Sequence, residues 1–199
     1  MTRTCCRKFS NKPVNDKLID IILKAAQAAP SAKNRQPWFF LAIRNKKCRE
    51  EIAKAAFIGR KRQFAGLNLQ KTKEVIEGKN YLSSNDGLIA LTPLAILVFR
   101  NSNSSYTEAC RKELGIKEEQ GVACACYSMM LAAWSLGLGS VWLCSPLYIK
   151  DKLQGILKKY GFNWQKNWQP RVIIPIGYPA TKLKKPRRKP LKEIIQYID

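Results

Sequence analysis

The decapeptide APSAKNRQPW, Ala29 to Trp38, stands between an amphipathic run, Asn15 to Ala28, and the apolar run Phe39-Phe40-Leu41-Ala42-Ile43. Pro30 bars the helix from continuing through Ala29, because its ring disfavours helical geometry in the residue before it. Ser31, Asn34 and Gln36 then crowd hydrogen-bonding side chains into one turn. Held between a rigid helix and a strand, such a turn can offer donors and acceptors to a flat polar heterocycle. By its own chemistry the decapeptide reads equally well as a helix-stop loop of ordinary turn residues.

The elements on either side follow from periodicity. Asn15 predicts an N-cap, and Leu18, Ile21, Ile22, Ala25 and Ala29 predict one apolar helix face. Further helices are predicted over Lys47 to Phe57, ending near Gly59, over Ile116 to Leu136, and over Tyr148 to Tyr160. Glu118 and Glu119 would then sit favourably in the first turn of the third helix. Strands are predicted at Trp38 to Arg44, Pro93 to Arg100, Ser140 to Cys144 and Arg171 to Ile176. Taken alone, this alternation of helices and strands describes an open α/β sheet. Gly137-x-Gly139 follows a helix rather than a strand, so it reads as a helix stop and not as a dinucleotide fingerprint.

Composition narrows the chemistry. A chain of 199 residues with 46% apolar residues reads as one globular domain, without internal repeats or linkers. Met1 to Asp16 is basic and polar rather than a secretory leader. The seven cysteines form no C-x-x-C pair, which points to reduced thiols in the cytoplasm. Cys124 and Cys126 lie two apart on a predicted helix, face different ways, and are read as packing residues. No charged residue occurs from Gly121 to Ile149. The breaker Leu136-Gly137-Leu138-Gly139-Ser140 divides this run into a core helix and an interior strand rather than a membrane span.

Histidine is absent, which removes Ser-His-Asp, Cys-His and His-zinc machinery. The 14 acidic residues are scattered without a metal-like cluster. A catalyst of this composition borrows its chemistry from a cofactor. The net charge of +22 raises nucleic-acid binding, but no basic motif interleaved with aromatic residues accompanies it, and that stays the weaker reading.

Four blocks in order supply the decision. Ala29 to Trp38 resembles the flavin-contacting loop of the nitroreductase family, Pro-Ser-x-x-Asn-x-Gln-Pro-Trp. Arg3 to Val14, RTCCRKFSNKPV, resembles that family's opening. Glu118 to Pro146 resembles its core helix, Gly-Leu-Gly turn and following strand. Ile176 to Ala180 and Pro186 to Leu191 resemble its last strand and basic tail. The resemblance implies an α+β fold in place of the open α/β sheet, with a central, mainly antiparallel sheet flanked by helices. It also implies a C-terminal tail that reaches a partner subunit. The stretch from Arg60 to Asp86 carries the resemblance least and is read as a variable lid.

The same resemblance implies FMN as cofactor, NAD(P)H as co-substrate, and a nitroaromatic, quinone or related acceptor, the alternative being a flavin-binding protein of the same fold without nitroreductase turnover. It implies a homodimer with FMN at the subunit interface. Arg3, Thr4, Cys5 and Arg7 match residues around the phosphate and ring, with Cys5 standing where the family commonly has Ser. The FMN phosphate carries about two negative charges, which guanidinium groups pair bidentately. Arg187 and Arg188 resemble the second half of that phosphate site, Arg188 fitting best when Lys189-Pro190-Leu191 is aligned with the family's Lys-Pro-Leu. Pro30, Ser31, Ala32 and Asn34 resemble residues that reach the ring from the other subunit. Trp142, Leu143, Cys144 and Ser145 lie where the family's backbone amides face the reactive flavin nitrogen, and Cys144 and Ser145 replace a frequent acid or Gly. No side chain is assigned a catalytic acid or base role.

Overall fold

The computed structural model describes residues 3–64, 80–101 and 108–198. The chain runs α1 (Asp16–Gln27), β1 (Trp38–Ile43), α2 (Lys46–Phe64), α3 (Leu88–Leu91), β2 (Leu94–Asn101), α4 (Glu108–Ser135), β3 (Gly139–Ser140), α5 (Lys150–Lys159) and β4 (Trp168–Gly177). The four strands form one sheet in the order β1-β2-β4-β3, and every neighbouring pair is antiparallel. The α+β architecture therefore holds, and strand-helix alternation alone would have misled.

β2 explains the layering. Its residues alternate between two cores: Ala95, Leu97 and Phe99 join one cluster, Leu94, Ile96 and Val98 the other, and all six are buried. A strand sends successive side chains to opposite faces, so an unbroken apolar strand needs cover on both. α1 and α4 supply Ile22, Ala26, Ala125 and Met129 to one face. α2, α3 and α5 supply Ile52, Ala56, Ile89 and Leu153 to the other.

Local signals at the helix ends behave as read. Asn15 Oδ1 accepts from the Lys17 amide at 2.8 Å. Gly137 has φ +75°, and the Leu138 and Gly137 amides donate back to the Ala133 and Trp134 carbonyls, the 6→1 and 5→2 pattern of a Schellman stop. Among the described residues no helix is long and apolar enough to cross a membrane.

Other boundaries change for tertiary reasons. The inward face of α1 is Ile19, Ile22 and Ala26, whereas Ile21 is exposed. α2 continues through Gly59 to Phe64. α4 starts at Glu108, so Glu118 and Glu119 lie inside the helix instead of in its first turn. Arg100 of β2 pairs with both, and Arg171 of β4 pairs with Glu119 at 2.5 Å. The predicted strand Ser140 to Cys144 shrinks to two residues followed by a lone bridge between Leu143 and Ile173. Opposite the gap stands Pro175: its carbonyl accepts from the Val141 amide at 3.3 Å, but a proline has no N–H to return. The predicted helix from Tyr148 splits into a 3-10 turn, Ser145–Tyr148, and α5. Cys126 is buried as expected, but Cys124 is exposed and does not pack in the core. Of the lid read over 60–86, residues 65–79 lie outside the described residues.

Candidate functional site

The N-terminal segment is stitched onto the sheet edge. Cys5 bridges Ser140 in parallel, and the Cys6 amide donates to the Ser140 carbonyl at 3.0 Å. Further along, Phe9 bridges Pro179, and the Ala180 amide donates to the Lys8 carbonyl at 2.9 Å. The buried Thr4 hydroxyl donates to the Lys184 carbonyl at 3.3 Å, which ties the start of the chain to its basic tail. Three stretches distant in sequence thus meet, at Thr4 to Cys6, at Ser140 of β3 and at Lys184; Trp142 to Ser145 follows β3 along the chain, and Arg187 and Arg188 follow Lys184.

Within this edge the side chains alternate. Leu143 and Ser145 are buried, Cys144 is exposed, and Trp142 Nε1 donates to Cys144 Sγ at 3.2 Å. Arg3 Nη1 reaches Cys5 Sγ at 4.0 Å. Arg7, Arg187 and Arg188 are exposed, and among the described residues no carboxylate pairs with any of them. An anionic phosphate suits that charge.

The loop of Ala29 to Trp38 has a separate anchorage. Ser31 Oγ accepts from the Gln36 amide at 2.9 Å, Asn34 Oδ1 accepts from Gln36 Nε2 at 3.2 Å, and Asn34 N donates to the Ser31 carbonyl at 3.0 Å. Gly121 of α4 lies beneath Ser31 and Pro37. Three residues without the freedom of glycine hold left-handed backbone here: Lys33 (φ 53°), Asn34 (φ 50°) and Gln36 (φ 49°). Such conformations are costly for side chains with a Cβ and collect where a loop must present groups to a ligand. Pro30, Ala32 and Asn34 are exposed, as a contact to another molecule requires. With its oxygen engaged inside the loop, Asn34 has its amide donors left to present outward.

The reading from sequence missed two residues. Asp86, 1% exposed, receives the Ser145 hydroxyl on Oδ1 and Arg60 Nε on Oδ2, the latter at 2.6 Å. Ser145 and Asp86 are 59 positions apart, so no spacing could have joined them. Burial sets thiol behaviour nearby: it pushes the Cys126 thiol of α4 up to about 12, with exposed Cys144 adding to the shift.

The Nitroreductase family model matches residues 1–178. A provisionally named NADH dehydrogenase/NAD(P)H nitroreductase from Methanothermobacter thermautotrophicus is 30% identical over 180 residues, covering 90% of this chain and 74% of the relative. An iodotyrosine deiodinase from Haliscomenobacter hydrossis is 28% identical, covering 89% and 76%. Among solved structures, a BluB-like flavoprotein from Clostridium difficile 630 superposes with TM-score 0.80 at 27% identity, covering 99% of this chain and 95% of that one. A nitroreductase with bound FMN from Desulfitobacterium hafniense DCB-2 shares the fold, with TM-score 0.74 at 23% identity over 100% and 95% of the two chains.

Proposed function

The chain belongs to the nitroreductase family, and from that premise we propose that it is an FMN-dependent oxidoreductase of the cytoplasm that takes hydride from NAD(P)H and passes it to a nitroaromatic, a quinone or a related acceptor. The observation that supports this reading is that the N-terminal basic segment is bonded both to Ser140 of β3, which leads into Trp142 to Ser145, and to Lys184 of the tail, which leads to Arg187 and Arg188. Bound FMN would supply the redox chemistry, which explains how a chain without histidine can be a catalyst. Arg3 and Arg7, with Arg188, would hold the phosphate; the main chain of Cys144 and Ser145 would face the ring. The loop residues Pro30, Ser31, Ala32 and Asn34 would complete the site from a second subunit.

Exposed apolar surface supports the dimer. Tyr127 of α4 is 50% exposed, and the tail carries Leu191, Ile194, Tyr197 and Ile198 at 64–96% exposure. A tail this apolar gains by lying on another subunit, and obligate interfaces resemble a core cut in half. A chain bearing Arg7→Ala mixed with one bearing Asn34→Ala should regain one intact site per heterodimer. Light scattering that shows a monomer fully loaded with FMN at nanomolar concentration would exclude the shared site.

The decisive experiment is a visible spectrum. Purified protein should be yellow and release FMN, not FAD, on denaturation; a colourless protein that takes up no FMN at micromolar concentration overturns the reading. The deiodinase relatives favour a second reading, in which the same flavin site serves a different reduction, such as removal of iodide from an iodinated phenol. Turnover of a quinone or nitroaromatic with NADH or NADPH, against release of iodide from iodotyrosine, separates the two.

A further inference from the structure

Ser145 stands in the stretch assigned to the flavin ring, yet its side chain is turned into the protein. It is 5% exposed, and its hydroxyl donates to Asp86 Oδ1. The other carboxylate oxygen of Asp86 takes Arg60 Nε at 2.6 Å, with the Asp86 side chain 2% and the Arg60 side chain 17% exposed. A hydroxyl has one proton to give, and Asp86 has it. What Ser145 offers outward is therefore its main chain, and the hydroxyl's role is to fix where that main chain lies.

A second observation shows that the far end of the same turn is held as well. Gly59, one residue before Arg60, packs on the 3-10 turn so closely that a Cβ there would stand 2.5 Å from Ile149 Cγ2 and 3.0 Å from the Tyr148 carbonyl oxygen. α2 thus grips the turn directly at Tyr148 and Ile149 and, through Arg60 and Asp86, at Ser145. The Ile89 amide donates to the Asp86 carbonyl at 3.1 Å, which seats the aspartate at the entry to α3, whose Leu88, Ile89 and Ala90 are buried. A buried carboxylate engaged by two charge-assisted bonds from different elements is a rigid brace, and supporting groups of this kind hold a site to the tolerance that cofactor chemistry needs.

We propose that Asp86, anchored by Arg60, is a positioning residue for the flavin-facing main chain of Cys144 and Ser145 and acts through the Ser145 hydroxyl. The assignment rests on the FMN reading above. It predicts that Asp86 and Ser145 behave as one unit: once the hydroxyl is gone, Asp86 has no handle on the ring-facing backbone.

The test uses full-length apoprotein titrated with FMN by flavin fluorescence, the midpoint potential of the loaded protein, and urea unfolding of each apoprotein. Wild type is read first, because a wild type that binds no FMN overturns the functional reading itself. Asp86→Asn and Ser145→Ala should each weaken FMN binding by roughly tenfold, inside the range for residues sharing one hydrogen-bond network, and each should shift the midpoint potential. Asp86→Asn/Ser145→Ala should bind FMN no more weakly than the worse single variant. Ser145→Thr keeps the hydroxyl and should keep wild-type affinity and potential. The proposal is overturned if Asp86→Asn lowers the urea midpoint but leaves affinity and potential unchanged, or if the losses in the double variant multiply. Should Asp86→Asn fail to fold, Ser145→Ala against Ser145→Thr decides: equal affinity in the two overturns the proposal.

Discussion

Replacing Lys33 by glycine should make this protein more stable. Lys33 is exposed and holds φ 53°, ψ 31° inside the turn Ala32–Asn34. A Cβ in that conformation meets the following carbonyl at a cost of about 1–2 kcal/mol. Glycine escapes the clash but surrenders about 0.5–1 kcal/mol of extra backbone freedom on folding. From the middle of each range, Lys33→Gly comes out about 0.75 kcal/mol more stable. For a chain of this size that corresponds to a rise in Tm of about 1.5–3 °C. Lys117→Gly is the control: Lys117 is equally exposed but lies inside α4, where glycine costs about 1 kcal/mol. Calorimetry of the two FMN-free variants should give shifts of opposite sign, since bound FMN would add its own affinity change to the melting temperature. The loaded loop has a second readout. Freedom given back to the empty loop must be lost again on binding, so FMN affinity should fall by about two- to fivefold. A Lys33→Gly variant that unfolds as early as Lys117→Gly would refute the argument that the loop is strained.

Arg3→Ala and Arg7→Ala should each weaken FMN binding by about 1.5–3 kcal/mol, the worth of a hydrogen bond to a charged group, and Arg188→Ala likewise; fluorescence titration with unchanged affinity would return these residues to an ordinary basic surface. Steady-state kinetics with a nicotinamide donor and a quinone acceptor should give parallel double-reciprocal lines, because donor and acceptor occupy one flavin face in turn, and intersecting lines would contradict that order. Stability should hold up to about pH 9 and fall above it. Burial pushes the Cys48 thiol up to about 11 and that of Cys126 up to about 12, so the unfolded chain, with thiols near 8.5–9, releases its protons first and gains ground as pH rises. Urea midpoints at pH 8 and 10.5 should differ less in Cys126→Ala than in wild type; an unchanged difference would remove Cys126 from the account.

What the sequence by itself determined rests on neighbours along the chain. Asn15 caps α1, Pro30 stops the helix before the loop, and Gly137 ends α4, because steric and capping rules act within a few residues. β2 was legible as a strand because Pro93 to Arg100 is a short, nearly unbroken apolar run, and its burial on both faces came with the fold. Only the tertiary structure decided which side of α1 turns inward, since Ile21 and Ile22 are equally apolar and packing on α4 selects Ile22. It decided that β3 is two residues long, because the partner opposite Val141 is Pro175 and a strand lives on what its neighbour can return. It decided, too, that Glu118 and Glu119 neutralise Arg100 and Arg171 from the middle of a helix. The brace of Arg60, Asp86 and Ser145 was invisible for the same reason: its members come from three elements brought together only by folding. Hydrogen bonds between residues far apart in sequence leave no period and no spacing to read, whereas a cap or a stop carries its partner within one turn.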